Sequence, residues 1–107
     1  MRIHFVRSGG FAGLRLEAEL DTHGMGRDQA VEIERLVSQA GFFELPSRDD
    51  ASHGGADRFE YRIQVESETR GPHTVTTDEQ NAPERLQPLL VRLTAIALQR
   101  LHTRREA

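Results

Sequence analysis

Two stretches of this chain alternate apolar residues with charged or polar ones without a miss. In Leu14-Arg15-Leu16-Glu17-Ala18-Glu19-Leu20 every second side chain is apolar. In Arg58 to Glu66, Phe59, Tyr61, Ile63 and Val65 point one way, and Arg58, Glu60, Arg62, Gln64 and Glu66 point the other. A period of two belongs to a β-strand with one face buried and one face in water. Antiparallel sheets commonly keep such a wet face, whereas parallel sheets are covered on both sides. The chain is therefore expected to build an antiparallel sheet and to cover one side of it with other elements.

The remaining segments supply strand partners and cover. Arg2-Ile3-His4-Phe5-Val6 reads as a strand. It runs into Arg7-Ser8-Gly9-Gly10-Phe11-Ala12-Gly13, a loop with three glycines in five residues. Those glycines let the chain reverse and let another backbone come close. Phe11, at the centre of the loop, is either tucked onto the core or presented to a partner. Thr69-Arg70-Gly71-Pro72 reads as a second hairpin turn, and His73-Thr74-Val75-Thr76-Thr77 as its return strand. The polar segment Ser47 to Asp57 reads as a loop.

Two helices are expected. From Gln29 to Ala40, Val31, Ile33, Leu36, Val37 and Ala40 fall mostly on one face, with Asp28 placed to cap the start and Gly41 the end. Phe42-Phe43-Glu44-Leu45-Pro46 then plugs the core between helix and sheet. Later, Leu86, Leu89, Leu90, Leu93, Ile96, Ala97 and Leu101 form a broad apolar stripe of about 15–18 residues, ~25 Å long. Asn81 is a candidate cap there, and Pro83 suits a first helical position. Pro88 either falls within the first turns or moves the helix start later.

The predicted class is α+β, in the order ββαββα, with a four-stranded antiparallel sheet and two helices on one face. The expected core contains Phe5, Leu16, Leu36, Phe43, Tyr61, Ile63, Val75, Leu89 and Leu93. At 107 residues the chain is one domain, expected over residues 1–101, with 102–107 as a frayed tail.

Composition excludes several functions. There is no cysteine, which removes disulfides, thiolate zinc sites and Cys nucleophiles. The net charge is −3, which argues against a nucleic-acid partner. All 14 basic residues are Arg, so Schiff-base and Lys general-base chemistry are absent. No apolar run approaches the ~20 residues of a membrane span. The first residues lack the apolar core of a signal peptide, so a cytoplasmic location is expected.

Chemistry-bearing patterns are scarce. His4, His23, His53, His73 and His102 are scattered, with no His-Glu-x-x-His segment. Asp49, Asp50 and His53 are able to hold a divalent ion, but in a Gly-rich loop without a preorganising element they read as solvated. The Gly9–Gly13 loop leads into a strand, so it lacks the helix N-terminus that makes such loops bind phosphate. No serine sits in a Gly-x-Ser-x-Gly setting. Glu17 and Glu19 lie on the wet face of the sheet. No catalytic residue, metal or cofactor is expected, and the residues alone support a small binding or inhibitory module.

Several segments, taken in order and at their spacings, sharpen this. They are Ser8-Gly9-Gly10-Phe11-Ala12-Gly13; Glu34-Arg35-Leu36-Val37 with Ala40-Gly41-Phe42-Phe43-Glu44-Leu45-Pro46; Asp57-Arg58-Phe59-Glu60-Tyr61-Arg62-Ile63-Gln64-Val65; and His73-Thr74-Val75 followed by Pro83 to Leu93. Together they resemble the emfourin family, from about Arg2 to about Leu93. That resemblance implies a small bacterial protein inhibitor of protealysin and related thermolysin-like zinc metallopeptidases, which occupies the active-site cleft and has no enzymatic activity. The resemblance implies a contact loop comprising Ser8, Gly9, Gly10, Phe11, Ala12 and Gly13; such peptidases favour a bulky apolar side chain just after the scissile bond, so Phe11 is either the anchor in that pocket or folded back over Leu14 or Phe42. Asp49, Asp50, His53 and Arg70 are the flanking candidates. The alternative is a non-inhibitory interaction module that docks through the charged sheet face of Arg15, Glu17, Glu19, Glu60, Arg62, Gln64 and Glu66.

Overall fold

The computed structural model describes residues 1–9, 15–47 and 59–106. Strands β1 (Arg2–Gly9) and β2 (Leu16–Asp21) form the first hairpin. Helix α1 (Arg27–Gln39) follows. Strands β3 (Phe59–Glu66) and β4 (His73–Asp78) form the second hairpin, and helix α2 (Gln87–Glu106) comes last. The four strands make one sheet in the order β2-β1-β3-β4, and every neighbouring pair is antiparallel. This is the ββαββα α+β architecture that the alternation implied.

The register shows how alternation becomes a core. Phe5 lies opposite Ala18 on one side and Ile63 on the other, and Ile63 lies opposite Val75. Ile3 lies opposite Leu20 and Val65 in the same way. Residues directly opposite share a face, so the apolar set of all four strands stacks into one surface. Ile33 and Val37 of α1 and Leu89, Leu93 and Ile96 of α2 complete a buried cluster on it. Val6 is the exception. It sits on the other face between Glu17 and Arg62, yet it is buried. Long charged side chains cover apolar neighbours with their aliphatic stems. The charged face is accordingly uneven, with Glu17, Glu19 and Glu66 exposed but Glu60, Arg62 and Gln64 half-buried.

Several local expectations are corrected. Leu36, Phe43 and Tyr61 are only partly buried, packed against the edge of the cluster rather than inside it. Val31 is exposed, because two residues before Ile33 is about 200° around the helix. Leu101 is 41% exposed. Helix α2 has 20 residues, ~30 Å, and outlasts the six-residue β2, ~20 Å. Helix α1 starts at Arg27 with Gly26 in the cap position. Asp28 therefore lies in the first turn, where its charge still complements the helix N-terminus.

Gly41 ends α1 as expected. Its φ of 59° is left-handed, and its N–H bonds to the Ser38 carbonyl at 3.0 Å. A Cβ is penalised at that angle, and here it would also meet Arg85 Nη1 at 3.3 Å. The next residues turn once as a 3-10 helix, Phe42–Glu44, and bury Phe42. Before α2, Pro83 precedes a 3-10 turn, Glu84–Leu86. Pro88 is then the second residue of α2, where a missing N–H leaves no bond unmade. Asn81 caps no helix; its side chain donates to Asp78 instead.

Candidate functional site

The strand directions sort the connections between two ends of the sheet. At one end β1 finishes at Gly9, β2 begins at Leu16, β3 begins at Phe59 and β4 finishes at Asp78. Gly10, Phe11, Ala12 and Gly13 lie outside the described residues, as do Asp49, Asp50 and His53. What is described is the frame from which these segments leave.

Gly9 still pairs with Phe59 in the β1–β3 ladder. Its φ of 91° turns the chain out of the strand through an angle that side chains penalise. Ser8 is half-buried opposite Glu60. The guanidinium of Arg7 sits 4.2 Å from the centre of the Phe59 ring, a cation–π contact that holds both beside the root of the loop. The Phe59 N–H donates to Glu79 Oε1 at 3.2 Å, and the Glu79 N–H donates to the Phe59 carbonyl at 3.1 Å. Next to it, buried Asp78 accepts from the Gln80 and Asn81 backbone N–H groups at 2.9 and 2.8 Å, and from Asn81 Nδ2. A buried carboxylate needs such donors, and here they tie the turn after β4 in place.

Arg70 occupies the other end. Its backbone exchanges bonds with Ser67, N–H to Oγ at 3.0 Å and carbonyl from N–H at 3.0 Å. Its guanidinium lies 4.9 Å from the centre of the Phe43 ring and 3.6 Å from the Glu44 carboxylate. His73 joins this cluster through Phe42 and Phe43, with Nε2 at 2.8 Å from the Leu45 carbonyl oxygen. The eight residues of β3 separate the two ends by roughly 23 Å. The structure thus keeps Ser8 and Gly9 together at one end and puts Arg70 at the opposite one. The link 48–58 bridges them in sequence. It starts after Ser47, whose Oγ donates to the Thr74 carbonyl at 3.1 Å, and finishes at Phe59 beside Gly9.

On the wet face, His4 Nε2 and Glu17 Oε2 are 2.5 Å apart, and Arg15 lies 3.6 Å from the same carboxylate. The hydrogen bond with His4 holds the Glu17 carboxyl below its ordinary range; desolvation opposes it, and the charges of Arg15 and His4 add to it. A folded value below the unfolded one stabilises the protein above the ordinary carboxylate pKa of ~4.3. That contribution is lost as pH falls through the depressed value. Glu17→Gln is therefore expected to lower stability near neutral pH and to make no difference in strong acid. Urea denaturation of both proteins across that range measures this; a gap that stays constant with pH would contradict it.

The described residues contain no group of three or more His, Cys, Asp or Glu able to hold a metal ion. None of their helices is long and apolar enough to cross a membrane. The contacts of Phe59 with Arg7 and Glu79 escape sequence inspection because they join residues far apart in the chain. The Asp78-x-x-Asn81 spacing did carry a legible signal, since Asx side chains favour bonds to the backbone two or three residues on.

No curated protein matches this chain. A similar solved structure is emfourin (M4in) from Serratia proteamaculans, described as an M4 family peptidase inhibitor. It is 23% identical, the match covers 82% of this chain and 83% of that one, and the TM-score is 0.45. The model of the Emfourin family matches residues 5–94. That span takes in the rest of β1, all of β2, β3, β4 and α1, the connections at the Gly9 end and the first turns of α2. By this match the chain belongs to the Emfourin family.

Proposed function

We propose that the protein is a non-enzymatic inhibitor of M4, thermolysin-like, zinc metallopeptidases, and that it blocks the substrate cleft with the Ser8–Gly13 loop. The observation that carries the proposal is the family match over residues 5–94. The target class is that of the Serratia emfourin, an M4 family peptidase inhibitor.

The frame around Gly9 supports the choice of loop. A loop that plugs a cleft needs roots that do not yield when it is pressed into a partner, because ordering on binding costs affinity. Both roots rise from paired strands, and Arg7, Phe59, Glu79 and Asp78 brace the same end. In this mechanism the glycines bring the loop backbone close to the walls of the cleft, and Phe11 fills the pocket for the bulky apolar side chain after the scissile bond. The plug excludes substrate and water from the peptidase's own zinc. An interface of ~800 Å² per partner is standard for such complexes.

Titration of a protealysin-type M4 peptidase with the purified protein tests this. Activity is expected to fall to zero with an equivalence point at one inhibitor per enzyme. Full activity at micromolar excess, across several M4 peptidases, would overturn the proposal and leave a docking module in its place.

A further inference from the structure

We infer that the open edge of β2 is a docking site for an extended segment of a partner protein that carries basic residues at alternate positions. The inference does not depend on peptidase inhibition and concerns a different part of the surface. Strand β2 is an outer strand of the sheet, paired with β1 on one side. Two bonds fix which of its backbone groups point where. The Thr22 N–H reaches the Met1 carbonyl at 2.9 Å, so the even-numbered residues direct their backbone groups at β1. The Glu19 carbonyl accepts from Arg100 Nη1 at 2.5 Å, so the odd-numbered residues direct theirs outward. Glu17, Glu19 and Asp21 thus present N–H and C=O groups along the edge, the template that an added strand uses.

The surroundings define the occupant. On the wet face the exposed row beside this edge runs Arg15, Glu17, Glu19 and Asp21; His4 and Arg15 already hold the Glu17 carboxylate, so Glu19 and Asp21 are the carboxylates that face an added strand. Directly opposed charges of opposite sign stabilise a strand pair, and like charges destabilise it. On the other face Ala97, Arg100 and Leu101 of α2 form a groove with β2 of about 540 Å³, in which Ala97 and the exposed Leu101 supply an apolar patch within a mainly polar lining. A segment with Arg or Lys over Glu19 and Asp21 and small apolar residues toward α2 satisfies both sides. The Arg100 guanidinium occupies one backbone acceptor of this edge, the Glu19 carbonyl, and a docking segment has to displace it. A second copy of this chain fits poorly, because pairing β2 with β2 sets acidic rows against each other on one face. At the far edge of the sheet, the corresponding positions Thr74 and Thr76 of β4 carry no charge to select a basic segment.

The test is an amide NMR titration of the whole protein with a capped hexapeptide of alternating Arg and Val, and with its alternating Glu and Val counterpart. The Arg peptide is expected to move the signals of Glu17, Glu19 and Asp21 ahead of those of Thr74 and Thr76. Glu19→Arg, on the exposed face, is expected to weaken that binding severalfold at unchanged melting temperature. Arg100→Ala, which frees the Glu19 carbonyl, is expected to strengthen it. Equal binding of both peptides, shifts centred elsewhere, or no shift at millimolar peptide would overturn the assignment. Concentration-dependent shifts of the same amides without peptide would also do so, in favour of self-association.

Discussion

Phe5→Ala is expected to lower stability by about 3–5 kcal/mol, the usual cost of deleting a fully buried aromatic. Phe5 is 0% exposed and lies on an inner strand between Ala18 and Ile63, with its ring 6.2 Å from that of Tyr61. Its removal opens a void in the buried cluster, and strands paired on both sides leave little room for collapse. Domains of this kind are stable by only about 5–15 kcal/mol, and each kcal/mol shifts the melting temperature of a small domain by roughly 4–8 °C. A drop well beyond 10 °C, or failure to fold, is the expected result. Tyr61→Ala, at a partly buried position, is expected to cost distinctly less. Thermal and urea denaturation of the two variants compare the sites directly, and equal losses would contradict the burial described for them.

Phe11→Ala is expected to weaken peptidase inhibition by at least about 30-fold, the size of a binding hot spot of 2 kcal/mol or more. The melting temperature is expected to stay unchanged. The proposal makes this side chain the anchor in the cleft, and an anchor contributes to the complex without contributing to the free fold. Inhibition constants and melting curves on the same preparation separate the two roles. Inhibition retained alongside a large fall in melting temperature would assign Phe11 to the core. No change in either would remove it from both roles and shift attention to the backbone of the loop.

The strands and helices were legible in the sequence because their signals are local. The alternation of Leu14 to Leu20 and Arg58 to Glu66 sets which side chains of β2 and β3 face inward, whatever their neighbours. The spacing of Ile33, Leu36, Val37 and Ala40 does the same for α1, and Gly41 marks its end by tolerating a left-handed angle. Arg7, Ser8 and Gly9 read as part of the loop, but they extend β1 to Gly9, because β3 offers them the partners Tyr61, Glu60 and Phe59. Depth of burial was less accessible. Phe43 and Tyr61 have the chemistry of core residues, but they lie at the margins of what the helices cover, and no local pattern records where that cover stops.

What only the tertiary structure decided is the placement of distant segments. The pairing of β1 with β3 puts Phe59 beside Gly9 and makes the Arg7–Phe59 and Phe59–Glu79 contacts. The run of β3 carries Arg70 to the far end, away from the loop it was expected to flank. The order β2-β1-β3-β4 makes β2 an outer strand among the described residues, although its alternation would read the same in the middle of a sheet. Periodicity reports which way a side chain faces. Pairing is settled by the competition of whole strands for partners across the chain, and that competition has no signature within any single segment.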